Sequence, residues 1–130
     1  MSEVVEMLSP VQPEIKSLER PWGYFDQYAN NENVTVSLMH VNPGQRLSLQ
    51  LHEKRNELWI VFDDGAKIQI DSEEKIYNSG DRVWIPAGSK HRLSCVGDKQ
   101  VRVLEVAFGE WIIEDITRFQ DDYRRPESGE

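Results

Sequence analysis

The sequence predicts an all-β fold, with a double-stranded β-helix (jelly-roll) barrel as the expected architecture, and three observations support it. Apolar residues recur with a period of two rather than 3.6. The runs that show this period are short, and Gly, Pro, Asn and Asp separate them at roughly the 8–12-residue spacing of sandwiches and barrels. No stretch carries the pattern of a long helix.

Taken in order, Val34-Thr35-Val36-Ser37-Leu38-Met39 alternates as a half-buried strand does, and Asn42-Pro43-Gly44 reads as a turn. Leu47, Leu49 and Leu51 then alternate with Ser48, Gln50 and His52. Leu58 to Phe62 is a continuous apolar run, and Asp63-Asp64-Gly65 after it reads as a hairpin turn. Lys67-Ile68-Gln69-Ile70 alternates again, Asn78-Ser79-Gly80-Asp81 turns, and Val83-Trp84-Ile85 is a short strand stopped by Pro86-Ala87-Gly88. Val101 to Phe108 is a further strand, and Ile112 to Phe119 reads as a last strand or a short helix. The expected organisation is one domain over residues 20–125, an N-terminal arm over 1–19 in which Pro10 and Pro13 block a long helix, and a frayed tail over 126–130.

A chain of 130 residues can bury a sizeable core without staples. The single cysteine, Cys95, cannot form an internal disulfide and reads as a small apolar strand residue. No apolar run approaches the ~20 residues that cross a bilayer, and the acidic start lacks a signal pattern, so no membrane partner and a cytoplasmic location are expected. A net charge of −8 argues against nucleic acid as partner, because phosphate backbones call for clustered Lys and Arg. A small anionic substrate needs only a few cations at one place, so it stays compatible.

Two of the three histidines sit in informative contexts. Gln50 and His52 lie two apart and face the same way on a strand. The polar stretch Glu53-Lys54-Arg55-Asn56 can reset the alternation and turn Glu57 inward. His91 follows Pro86-Ala87-Gly88 near the start of the next strand. One amide, two imidazoles and one carboxylate form a ligand set for one divalent metal, with Zn2+ the first expectation and Mn2+, Co2+, Fe2+ or Ni2+ the alternatives. The third histidine, His40, reads as a core or pocket-wall residue. Trp22, Trp59, Trp84 and Trp111 read as core or interface aromatics.

These spacings resemble the two cupin motifs. Gly44, Gln50, His52, Glu57 and Gly65 follow the first motif, with Gln50 in place of its first His and Gly65 one residue late. Gly80, Pro86, Gly88 and His91 follow the second, with Cys95 in place of its closing Asn. More closely, Pro43-Gly44 with Leu47-Ser48-Leu49-Gln50-Leu51-His52, Arg20-Pro21-Trp22-Gly23, and Glu114-Asp115-Ile116 with Asp121-Asp122-Tyr123 resemble the type II phosphomannose isomerase domain. That domain forms the C-terminal part of bifunctional mannose-1-phosphate guanylyltransferases and also occurs alone. The chain departs from it at Leu58 and Glu53, where the family carries His, and at Arg124, where it carries Gly.

The resemblance implies a metal-dependent aldose–ketose isomerase that interconverts mannose 6-phosphate and fructose 6-phosphate. Its metal would rest on Gln50, His52, Glu57 and His91. Lys54 and Glu53, with His40, are the candidates for the base that carries a proton between C2 and C1. Arg125, Lys54 and Arg20 are the foremost candidates to hold the phosphate, with Arg55 and Arg118 behind them. Two rival readings stand beside this one: another small-sugar or sugar-nucleotide cupin isomerase or epimerase, and a non-catalytic metal-containing module that binds a sugar phosphate. Exposed sheet edges also lead us to expect a homodimer.

Overall fold

The computed structural model describes residues 11–129. Eleven strands and no helix are found among them: β1 (Lys16–Arg20), β2 (Gly23–Gln27), β3 (Val34–Val41), β4 (Leu49–Leu51), β5 (Arg55–Val61), β6 (Ala66–Ile70), β7 (Glu73–Tyr77), β8 (Arg82–Ile85), β9 (His91–Cys95), β10 (Val101–Gly109) and β11 (Thr117–Gln120). None of these elements is a helix long and apolar enough to cross a membrane. Residues 1–10 of the expected arm lie outside the described residues. The rest of that arm runs into β1, which pairs with β2 as a two-stranded hairpin.

Two larger sheets build the barrel, one ordered β3-β10-β5-β8 and the other β11-β4-β9-β6-β7, with every pairing antiparallel. Their facing sides share one core of Val41, Trp59, Val61, Ala66, Ile68, Val83, Ile85, Leu93, Cys95, Val101 and Val103, drawn from both sheets. Cys95 is buried within it, and its thiol donates to the Lys99 carbonyl at 3.0 Å. A second cluster of Leu58, Ile60, Val106 and Phe108 covers the outer side of the four-stranded sheet and packs against Ile15, Tyr28 and Ala29.

The continuous apolar run of β5 is explained by this arrangement. It is hydrogen-bonded on both edges, to β10 and β8, and buried on both faces, so the usual polar alternation is absent. For the same reason Asp63-Asp64-Gly65 does not make the expected hairpin. Both edges of β5 are already taken, so the chain crosses there to the other sheet, where β6 pairs with β7 and β9. The Asp63 carboxylate accepts the Arg102 backbone N–H and guanidinium, and Asp64 accepts the Ser79 N–H, which fixes this corner.

His40 also differs from expectation. It is exposed and its Nδ1 meets the Gln100 side-chain oxygen at 3.2 Å. The cause is topological: β3 is an edge strand, and its Val36-Leu38-His40 side looks outward, leaving Val36 and Leu38 exposed as well. The closing segment forms a turn and then β11, and residues 126–129 of the expected tail lie against that strand. Thr117 bridges Ser128, and the Arg118 N–H donates to the Glu127 carbonyl at 2.5 Å.

Leu93 has no exposed surface and sits where the two sheets meet. Leu93→Ala should cost about 2–5 kcal/mol in urea denaturation, by lost burial and the cavity left behind. A loss below about 1 kcal/mol would contradict a single core shared by the sheets.

Candidate metal centre

Alternation places Arg55, Glu57, Trp59 and Val61 on the inward side of β5. Glu57 is 1% exposed. Its two strand neighbours hold it: Arg55 Nε donates to Oε2 at 2.7 Å, and Trp59 Nε1 donates to Oε1 at 3.0 Å. The facing sheet contributes Gln50 and His91, which are register partners across β4 and β9, and His52 just beyond the end of β4. His52 Nε2 lies 3.7 Å from Glu57 Oε2, and His91 Nε2 lies 3.7 Å from Glu57 Oε1. Ligand atoms of the three residues all fall within 4.8 Å of one another. The two imidazole rings are tilted at 54° with centroids 5.1 Å apart.

The ring orientations are set from behind. His52 Nδ1–H donates to the Asp115 carbonyl at 2.6 Å, and His91 Nδ1–H donates to the Ser89 carbonyl at 3.0 Å. Both bonds put the proton on Nδ1 and aim the Nε2 lone pair at the centre, which is how metal-binding histidines are usually prepared. His91 Nε2 is buried and has no hydrogen-bond partner. A cation satisfies an orphaned, inward-facing lone pair beside a carboxylate, so the residues present fit a divalent metal.

Gln50 stands differently. As placed, its amide nitrogen is 3.2 Å from His52 Nε2, while its oxygen accepts from the Ser48 hydroxyl at 2.7 Å. Ligation through oxygen requires a half-turn of the amide, which exchanges two groups of nearly equal size and leaves Ser48 able to accept instead of donate.

Burial pushes both His52 and His91 below the ordinary histidine pKa, despite the attraction of Glu57. Burial opposes ionisation of Glu57, but the neighbouring imidazoles and the Arg55 guanidinium outweigh it and hold the carboxyl below its usual range. Next to it, Glu105 is pushed up to about 8, first by burial and then by the charge of Glu57. The centre therefore holds one ionised carboxylate, one guanidinium and a neutral carboxylic acid. Sequence reasoning missed Glu105. It lies inside an apolar run, and only the pairing of β10 with β5 brings it opposite Trp59.

Asp115 organises the turn between the ligand strands. Its carboxylate accepts the N–H groups of Glu53 (2.9 Å) and Lys54 (3.0 Å), while its carbonyl orients His52. The second motif is tied in by the Gly88 N–H, which donates to the His52 carbonyl at 2.7 Å. Gly88 has φ +83, a conformation that side chains rarely adopt, which accounts for glycine there.

The remaining candidates are spread out. The Glu53 and Lys54 side chains are exposed on the turn beside His52. Arg125 lies against Asp121, with Nε to Oδ2 at 3.0 Å and Nη2 to Oδ1 at 2.9 Å. Arg20 donates to the Glu19 carbonyl and lies over the Phe25 ring in the β1–β2 hairpin. Arg55 is taken up by Glu57 and by the Trp111 ring.

Comparison with known proteins agrees with this architecture. Residues 12–121 match the family model described as mannose-6-phosphate isomerase C-terminal. The chain is 39% identical over 111 residues to a mannose-1-phosphate guanylyltransferase of Salmonella montevideo, covering 85% of this chain and 24% of that protein. It is 36% identical over 107 residues to the alginate biosynthesis protein AlgA of Pseudomonas aeruginosa, covering 82% and 22%. This chain thus spans about a quarter of the length of the relatives it matches. Among solved structures, the Legionella pneumophila epimerase RmlC superposes with a TM-score of 0.63 at 11% identity, covering 82% of this chain and 70% of that one. A manganese-containing oxalate decarboxylase of Bacillus subtilis gives 0.61 at 18% identity, covering 68% and 24%. At these identities the structural likeness shows the fold, an all-β cupin jelly roll. The family match shows that this chain belongs to the mannose-6-phosphate isomerase C-terminal family.

Two outcomes are expected. The two imidazoles bind protons less readily folded than unfolded, so below their ordinary pKa of 6.5 the unfolded chain takes up more protons. Glu57, with a lowered pKa, likewise contributes stability above its ordinary 4.5 that is lost as the pH falls. Glu105 acts in the opposite sense, because its raised carboxyl contributes stability that is lost as the pH rises through about 8 and offsets one imidazole below that. Metal-free protein should therefore lose stability below about pH 6.5, where two imidazoles outweigh one carboxyl, and again as the pH rises through about 8. A midpoint that does not change down to about pH 5 would contradict neutral buried histidines. Separately, Asp115→Ala should weaken metal affinity about 10-fold or more in a chelator competition, because it frees the turn that carries His52. Unchanged affinity would remove Asp115 from the support of the centre.

Proposed function

We propose that this member of the family is a metal-dependent aldose–ketose isomerase that interconverts mannose 6-phosphate and fructose 6-phosphate. The observation that carries the proposal is the convergence of two Nε2 lone pairs and one buried carboxylate within 4.8 Å, with His91 Nε2 lacking any partner. His52, Glu57 and His91 would hold the ion, with Gln50 as fourth ligand after its amide turns; Zn2+ is the first candidate for this mixed nitrogen and oxygen set. When bound, such an ion supplies Lewis acidity that polarises the sugar oxygens and stabilises the negative charge left as the C2 proton departs.

The protein's own groups do the rest. Arg55 and Trp59 keep Glu57 ionised and immobile. The apolar walls of Trp59, Ile85 and Leu93 beside the centre are shut off from water, which strengthens every electrostatic interaction there. Proton transfer between C2 and C1 needs a base at the rim, and the exposed side chains of Lys54 and Glu53 stand on the turn that Asp115 pins beside His52. The guanylyltransferase activity named for the longer relatives is not part of this proposal.

Purified protein should be stripped of metal, assayed with mannose 6-phosphate in a coupled reaction, and assayed again with Zn2+, Mn2+, Co2+ or Fe2+ restored. Fructose 6-phosphate should form only with metal, and His52→Ala should lower the rate by at least about 100-fold. Absence of turnover with every ion, in folded protein that binds metal, would reject the substrate.

A further inference from the structure

Among the described residues, two buried side-chain nitrogen or oxygen atoms have no hydrogen-bond partner, His91 Nε2 and Arg118 Nε. They belong to one row. Gln50 is the register partner of His91 on one side and of Arg118 on the other. Directly opposed residues of antiparallel strands project to the same face. Arg118 therefore stands on the ligand-bearing face of the sheet, one strand beyond Gln50 and two beyond His91.

The other buried guanidiniums show how unusual its state is. Arg55 and Arg92 are 6% and 5% exposed, and each gives its Nε–H to an acceptor, the Glu57 carboxylate at 2.7 Å and the Leu47 carbonyl at 2.9 Å. Arg118 is 9% exposed, has no carboxylate partner among the described residues, and uses only Nη1, which donates to the carbonyls of Pro126 (2.9 Å) and Gly129 (2.6 Å). Nη1 is thus anchored to residues 126–129, while on the opposite edge Nε has no partner and Nη2 makes no hydrogen bond with the described residues. That edge presents two parallel N–H groups with the spacing of a phosphate or carboxylate oxygen pair. A buried cation with an unused fork is stabilised when an anion arrives. Arg125 is built the opposite way, since Asp121 already closes its Nε/Nη2 edge.

We propose that the Nε/Nη2 edge of Arg118 receives the phosphoryl group of the substrate, with the sugar extending along the row toward Gln50 and His91. Two strand spacings, roughly 10 Å, separate the ends of this row, the scale of one sugar phosphate. The proposal rests on the sugar-phosphate reading of the site and deepens it by moving the phosphate contact from Arg125 to Arg118. The pull on Nη1 by the Pro126 and Gly129 carbonyls orients the fork, so Arg118 acts in binding and the chain end positions it.

The test is a binding experiment on the metal-loaded full chain, by calorimetry, with mannose 6-phosphate, mannose and inorganic phosphate as probes. Wild type should prefer mannose 6-phosphate to mannose, and inorganic phosphate should compete with the sugar phosphate. Arg118→Gln should lose about tenfold or more of that preference while binding mannose and metal as wild type does. Arg118→Lys keeps a charge but not the fork, so it should fall between the two, and it serves as the readout should Arg118→Gln not fold. A full preference for the phosphorylated sugar in a folded Arg118 variant would overturn the proposal, as would its absence in wild type. The isomerase reading fails separately. Binding through Arg118 without turnover would reject the isomerase and keep this site, whereas turnover with an unchanged KM in Arg118→Gln would do the reverse.

Discussion

Glu57 is 1% exposed, and a carboxylate so removed from water is tolerated only where opposite charge and hydrogen bonds surround it. The surroundings here come from its own strand. Arg55 and Trp59 lie two residues to either side, share its face, and each donates to one of its oxygens. Those bonds account for the neighbouring features. Arg55 has to be buried to reach Glu57, and the Trp111 ring lies over its guanidinium. Glu105 is held as a neutral acid, first by burial and then by the charge of Glu57, which avoids a second buried charge. The free lone pairs of Glu57 are left facing two neutral imidazoles, so the geometry of the centre follows from how one charge is kept in the interior.

The centre joins three separate stretches of chain. The His52 ring is held by the Asp115 carbonyl and its backbone by Gly88, so the turn after β4, the turn before β9 and the segment before β11 lock one another. Support of this kind makes ligand positions accurate, because rigid elements carry the side chains and backbone atoms set their rotation. The same segment before β11 leads directly to Arg118, and from there to the chain end that engages Nη1. Metal ligands and the Arg118 guanidinium thus share one mechanical frame.

Much of this was legible in the residue pattern, and the failures have physical causes. Period-two alternation identifies β3, β4 and β6, and the motif spacing picks out His52, Glu57 and His91, whose ligand atoms lie within 4.8 Å of one another, with Gln50 beside His52. Strands β1 and β7 were missed because they are largely exposed and polar, so no buried face marks them. Asp63-Asp64-Gly65 has the composition of a hairpin, but composition cannot tell a hairpin from a crossing between sheets; the occupied edges of β5 decide it. His40 has the alternation of a half-buried strand, yet an edge position turns that face to water.

Local spacing determined the strand class and which side chains could share a face, because both depend only on backbone period. It also placed the imidazoles and the carboxylate in segments able to meet. Tertiary structure decided what those groups are once together. Burial sets the protonation of His52, His91 and Glu105, and pairing across β11, β4 and β9 sets Arg118 in line with Gln50 and His91. It likewise assigns Arg125 to Asp121 and leaves Arg118 without an anion among the described residues, a distinction between two arginines that no local pattern contains. Charge and hydrogen-bond balance in an interior is summed over groups far apart in sequence, and only the folded chain brings the terms of that sum together.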